Sequence, residues 1–199
     1  VLPSIASAQQ PIKIVALGDS LTAGYQLPES AAFPSQLARA LQAKGHKVEI
    51  INAGVSGDTT SGGLARLDWS VPDGTDAVIV ELGANDMLRA VDPKVARAAL
   101  DQIVSRLKKR GIQVLLCGMQ AAKNLGQDYE RAFNAIYPEL AAAHGVLLYP
   151  FFLDGIAADP KLNQRDGLHP TAAGVEAIVT RIMPKVEELL ARVRAKRGA

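Results

Sequence analysis

A serine in Gly18-Asp19-Ser20, a histidine in Asp166-Gly167-Leu168-His169 and an asparagine in Gly83-Ala84-Asn85-Asp86 are the residues whose types and settings could carry acyl transfer. A serine hydroxyl attacks a carbonyl only when a base takes its proton, and imidazole suits that role near neutral pH. Of the three histidines, His46 falls in a turn between a helix and a strand, and His144 sits beside a helix-ending glycine. Only His169 follows a strand end and precedes a helix. Asp166 stands three residues before it, a spacing that can bring a carboxylate to the ring, fix its tautomer and stabilise the imidazolium. A helix-capping segment would use the same residue types. A tetrahedral intermediate also needs donors for its oxyanion, each worth roughly 3–4 kcal/mol when removed. The candidates are the backbone N–H groups of Ser20 and Gly57 and the side-chain amide of Asn85. Taken alone, Gly57 reads as a turn glycine and Asn85-Asp86 as a turn pair.

Positions 20, 57, 85 and 169 can meet only if the chain brings several strand ends to one edge. The apolar runs 12–17, 48–51, 77–82, 112–116 and 146–149 read as strands, nearly all apolar and so buried on both faces. Between them, 31–44, 61–68, 92–110, 127–143 and 171–194 read as helices. Asp92-Pro93 is an N-cap acid followed by proline at the first helical position, and Pro184 is expected to kink the last helix. The β-α alternation predicts a three-layer α/β/α sandwich, flavodoxin-like, around a five-stranded parallel sheet of order 2-1-3-4-5. In such a sheet functional groups collect beyond the carboxyl ends of the strands. Each of those ends runs into a polar or glycine-rich segment. Met87, Leu88, Met119 and Phe151 lie near the same rim and are candidates for an acyl-binding pocket, with Met87-Leu88 a candidate flexible cover.

Gly18-Asp19-Ser20-Leu21, Gly57-Asp58, Gly83-Ala84-Asn85-Asp86 and Asp166-Gly167-Leu168-His169-Pro170 together resemble the four ordered blocks of the SGNH hydrolases, also called GDSL esterases/lipases. The segments 18–25, 56–59, 63–67 and 135–138 are similar to those of the bacterial periplasmic thioesterase/lysophospholipase/arylesterase group. The resemblance implies Ser20 as nucleophile, Asp166 and His169 completing a triad, and Ser20, Gly57 and Asn85 forming the oxyanion hole. It also implies a lidless fold acting on esters and thioesters. Relatives often carry a proline near Ala122, so the segment 119–126 is expected to be looser here.

Composition leaves this reading open and removes others. Lys+Arg number 22 against 20 Asp+Glu, a net charge of +2, so nucleic acid is not an expected partner. The single cysteine, Cys117, rules out an intrachain disulfide. No apolar run reaches the roughly 18 residues of a membrane span. The expected partner is a small ester or thioester, with no metal or organic cofactor; the oligomeric state is left open. Residues 1–10 are expected to be a signal-peptide remnant or disordered, and 11–199 one hydrolase domain. Ala6-Ser7-Ala8 fits a small-x-small cleavage site and points to a periplasmic or secreted protein. Two other readings stand beside the esterase: a carbohydrate O-acetylesterase on the same triad, and a non-catalytic flavodoxin-like binding module.

Overall fold

The computed structural model describes residues 10–198; the cleavage pattern at Ala6-Ser7-Ala8 lies outside them. Five strands, β1 (Ile12–Gly18), β2 (Val48–Gly54), β3 (Ala77–Glu81), β4 (Gln113–Cys117) and β5 (Leu147–Tyr149), pair in parallel in the order β2-β1-β3-β4-β5, as expected. β3 is buried along its whole length, whereas β2, at the edge, is buried only at Val48 and partly or fully open beyond it. That difference follows from helices covering both faces of the sheet centre.

The helices are α1 (Ser20–Ala23), α2 (Phe33–Ala43), α3 (Thr60–Ala65), α4 (Leu67–Ser70), α5 (Ala84–Leu88), α6 (Pro93–Lys109), α7 (Gln127–Asn134), α8 (Ile136–His144) and α9 (Ala172–Arg197). α2 and α9 pack together on one face; α3, α6 and α8 cover the other. Phe33, Leu37 and Leu41 of α2 and Ile103, Val104 and Leu107 of α6 are fully buried against the sheet, each such side chain contributing about 1.5–3 kcal/mol of burial.

Several expected elements change their bounds. The helix expected over 127–143 divides into α7 and α8, because Pro138 offers no N–H to the Asn134 carbonyl, where α7 ends. The one expected over 61–68 becomes α3 and α4, with Arg66 between them. A 3₁₀ turn, Glu29–Ala31, and an extended Ala32 replace the start of the helix expected from Ala31. α9 continues as one helix across Pro184.

Two glycines at the carboxyl edge make the site possible. Gly18 and Gly54 are register partners at the ends of β1 and β2. A Cβ on Gly54 would lie 2.3 Å from the Ala23 nitrogen, and one on Gly18 would lie 2.0 Å from Thr22 Oγ1. α1 therefore rests directly on two strand ends that carry no side chains.

Candidate active site

The turn after β1 builds the first corner. Asp19 is fully buried and accepts from the Leu21 N–H at 2.9 Å, which caps α1 at Ser20. Arg66, also buried, ties this corner to the next. Its guanidinium donates to the carbonyls of Gly18 (2.9 Å) and Ala53 (2.8 Å) and pairs with Asp58. The ends of β1 and β2 and the Gly57-Asp58 turn are thus held by one cation.

The base comes from the loop before α9, which is closed on itself. Asn163 and Pro170 form an antiparallel bridge, Gln164 N–H donates to the His169 carbonyl at 2.7 Å, and Gly167 N–H donates to Gln164 at 2.9 Å. The Gln164 side chain also donates to the Tyr25 and Pro170 carbonyls, both at 2.9 Å, joining this loop to the segment after α1. Tyr25 in turn packs on the His169 ring, with centroids 4.5 Å apart. Thr171 caps α9 by accepting from Gly174 N–H, so the loop ends in a fixed helix start.

Within that frame His169 Nε2 lies 2.9 Å from Ser20 Oγ, and Nδ1 lies 2.6 Å from Asp166 Oδ2. The other Asp166 oxygen accepts from the backbone N–H groups of His169 (3.0 Å) and Leu168 (2.9 Å). These backbone bonds, followed by the imidazole, hold the Asp166 carboxyl down at about 2. An ionised Asp166 takes the Nδ1 proton as acceptor and leaves Nε2 free to accept from the serine hydroxyl. The capping reading of Asp-x-x-His is replaced by a side-chain pairing, because Thr171 does the capping instead. His46 and His144 sit far from this edge, bonded to Glu187 and Asp101 respectively.

The oxyanion donors expected from sequence lie on three adjoining segments. Among the described residues, the N–H groups of Ser20 and Gly57 donate to no acceptor. Gly57 has φ +86°, a left-handed conformation natural to glycine. Asn85 Nδ2 lies 2.9 Å from the Asp58 carbonyl and 3.1 Å from Asp19 Oδ2. One contact ties the amide to the Gly57-Asp58 turn and the other to the turn carrying Ser20; together they engage both of its N–H groups, so donation to an oxyanion requires exchanging one of them. The Asp58 turn is held further by Asp86, whose carboxylate takes the Thr60 N–H (2.8 Å) and hydroxyl (2.7 Å).

Ser20, Asn85 and His169 open onto a cavity of about 130 Å³ that is mostly apolar. Met87, Leu88, Met119 and Phe151 all line it, joined by Leu21, Leu153 and Leu168. Gly57 does not line it and stands at the adjoining turn. Met87 and Leu88, the expected cover, belong to α5, a helix that follows the end of β3, with Leu88 half exposed. Ala121 N–H is held by Asn134 Oδ1 at 2.8 Å, which anchors the segment expected to be loose. Arg66, Gln164, Tyr25 and Glu81 were not singled out from sequence. No group of three or more metal-ligating side chains occurs among the described residues.

A family model described as GDSL-like lipase/acylhydrolase matches residues 16–177. An arylesterase of Vibrio mimicus is 43% identical over 166 residues, 83% of either chain. The thioesterase 1/protease 1/lysophospholipase L1 of Escherichia coli is 40% identical over 158 residues, 79% of this chain and 74% of that one. The crystal structure of AlinE4, an SGNH-hydrolase family esterase, superposes with a TM-score of 0.77 at 45% identity, covering 92% of this chain and 99% of the other.

Proposed function

Since this chain belongs to the GDSL-like lipase/acylhydrolase family, we propose that its carboxylic ester hydrolase activity runs through an acyl-enzyme on Ser20 and extends to thioesters. The observation that carries the mechanism is the continuous chain Asp166–His169–Ser20, with contacts of 2.6 and 2.9 Å, ending at an apolar cavity.

Ser20 Oγ attacks the ester carbonyl as its proton passes to His169 Nε2. The carbonyl oxygen becomes an oxyanion facing the Ser20 and Gly57 N–H groups, joined by the Asn85 amide as one of its N–H groups leaves its protein acceptor. Collapse breaks the bond to the leaving alkoxide or thiolate, which takes the proton from His169. Water then attacks the acyl-serine, gives its proton to the same imidazole, and releases the carboxylic acid and the free hydroxyl. Throughout, Asp166 stays ionised and stabilises the imidazolium.

The mostly apolar cavity favours an acyl chain over a sugar. Phe151 is the only aromatic lining residue besides His169, and the exposed Trp69 lies elsewhere, on α4. A pure binding module would need no hydroxyl–imidazole–carboxylate relay. We infer a periplasmic or secreted location from the small-x-small pattern Ala6-Ser7-Ala8; cell fractionation checks it.

The test is hydrolysis of p-nitrophenyl esters from acetate to palmitate and of an acyl-thioester panel, with organophosphonate labelling. The expected result is labelling that vanishes in Ser20→Ala, with kcat lower by about 10⁶-fold. Undiminished hydrolysis by that variant would overturn the assignment of Ser20.

A further inference from the structure

Beneath the nucleophile lies a second acid that the mechanism does not use. Glu81 ends β3 and is 1% exposed. Its Oε2 accepts from the Thr22 hydroxyl at 2.8 Å and from the Asp19 N–H at 3.4 Å, while its Oε1 is buried with no donor. The Asp19 backbone contact to Glu81 Oε2 and the burial of both side chains pack the two acids against each other, away from solvent. Two carboxylates sealed side by side cannot both ionise without a cation, so they hold a proton between them.

Among the described residues neither carboxyl group takes part in a salt bridge, and Arg66 is spent on Asp58 and on the Gly18 and Ala53 carbonyls. β4 presents Cys117, the register partner of Glu81, α8 presents the Tyr137 hydroxyl, which donates to the Leu82 carbonyl, and α5 adds Asp86. Beyond Asp19, the triad adds His169. Burial pushes Cys117 and Tyr137 upward, so both stay neutral near neutral pH.

The bonding pattern decides which acid carries the proton. Asp19 uses one oxygen to accept from Leu21 N–H and the other to accept from the Asn85 amide. A proton on Asp19 would compete with one of these donors. Glu81 has an oxygen with no donor at all. Burial first, then the Asp19 charge, drives Glu81 well above the usual carboxylate range, whereas Asp19 rises only to about 6.

We propose that Glu81 is a positioning residue: a neutral carboxylic acid that donates to the Asp19 carboxylate and thereby holds the turn aiming Ser20 and Asn85. The proposal rests on the roles given above to those two residues. Glutamine can replace such an acid, since its NH₂ donates to Asp19 while its carbonyl accepts from Thr22 and the Asp19 N–H. Leucine cannot.

The experiment has two arms. Infrared difference spectra at neutral pH should show the carbonyl stretch of a buried protonated carboxylic acid in wild type and its loss in Glu81→Gln; this arm does not depend on the catalytic assignment, which Ser20→Ala tests separately. In steady-state assays on p-nitrophenyl acetate, Glu81→Gln should keep kcat within about threefold, while Glu81→Leu should lose roughly 10- to 100-fold in kcat with KM little changed, a fraction of what removing an oxyanion donor outright costs. Absence of the band, a Glu81→Gln enzyme as slow as Glu81→Leu, or a folded Glu81→Leu enzyme with wild-type kcat would each overturn the proposal. If Glu81→Leu does not fold, the band and the kcat of Glu81→Gln decide.

Discussion

Asp166 divides its work between its two oxygens. One takes two backbone N–H groups and fixes the loop; the other faces His169 Nδ1. Asparagine could keep the first task with its carbonyl but would turn an NH₂ toward the ring. The imidazole would then place its proton on Nε2, where it cannot accept from Ser20. Asp166→Asn is therefore expected to fold normally and to lose about 10⁴-fold in kcat, with KM for short esters little changed; stopped-assay kinetics alongside circular dichroism check it. The pH profile separates the two triad partners. Because Asp166 is held at about 2, it stays ionised through the mildly acidic range and does not itself set an acid limb of the rate there. A rate unchanged down to about pH 4 would contradict an imidazole base. Ser20, Asp166 and His169 were legible in the sequence because their types and strand-end placement coincide. Glu81, Gln164 and Arg66 were not. Glu81 reads as one residue within the apolar strand 77–82, and the partners of the other two lie far along the chain: Gln164 meets Tyr25 and Arg66 meets Gly18.

At the scale of elements, the long helices and strands were visible because burial imprints a period on them. α1 and α5, at four and five residues, are too short to carry one, and their flanking glycines read as turns. Yet these are the two elements that present Ser20 and Asn85. The segment after β4 shows a further limit. A missing proline near Ala122 suggested looseness, but Asn134 pins the neighbouring amide and Ala122 itself sits at φ −69°, ψ 137°. That backbone is already the one proline requires, and among the described residues the Ala122 N–H donates to no acceptor. Ala122→Pro should stabilise by about 0.4–1 kcal/mol, chiefly by restricting the unfolded chain. In a domain of this size that is a Tm rise of about 1–4 °C, readable by calorimetry. A fall in Tm would show that the ring meets an obstacle in the folded state.

For the whole molecule, buried and exterior acids pull stability in opposite directions along the pH scale. Asp166, Glu187 and Glu188 are lowered by their hydrogen bonds and cations. Their contributions are present above the unfolded carboxylate values and are lost as pH falls through the folded ones, for Asp166 about 2. Asp19 is raised by burial from 3.8 to about 6, and Glu81 is raised further. A raised acid does the reverse: its contribution is full below 3.8 and is lost as pH rises through about 6. The fold should therefore be most stable at mildly acidic pH, while catalysis needs His169 unprotonated and favours a higher pH. As Asp19 ionises, Tm is expected to decline between about pH 4 and pH 7, by roughly 2–4 °C for each kcal/mol lost. Asp19→Asn removes the titrating group, so its Tm should start lower, with a donor now facing Asn85, but should vary less over the same range. Comparing slopes rather than absolute Tm values cancels every titration the two proteins share. Parallel slopes would mean that the acid beneath the nucleophile does not set the alkaline limit of stability. A flatter slope in the variant would mean that the enzyme works at a pH where its own active-site foundation is under electrostatic load.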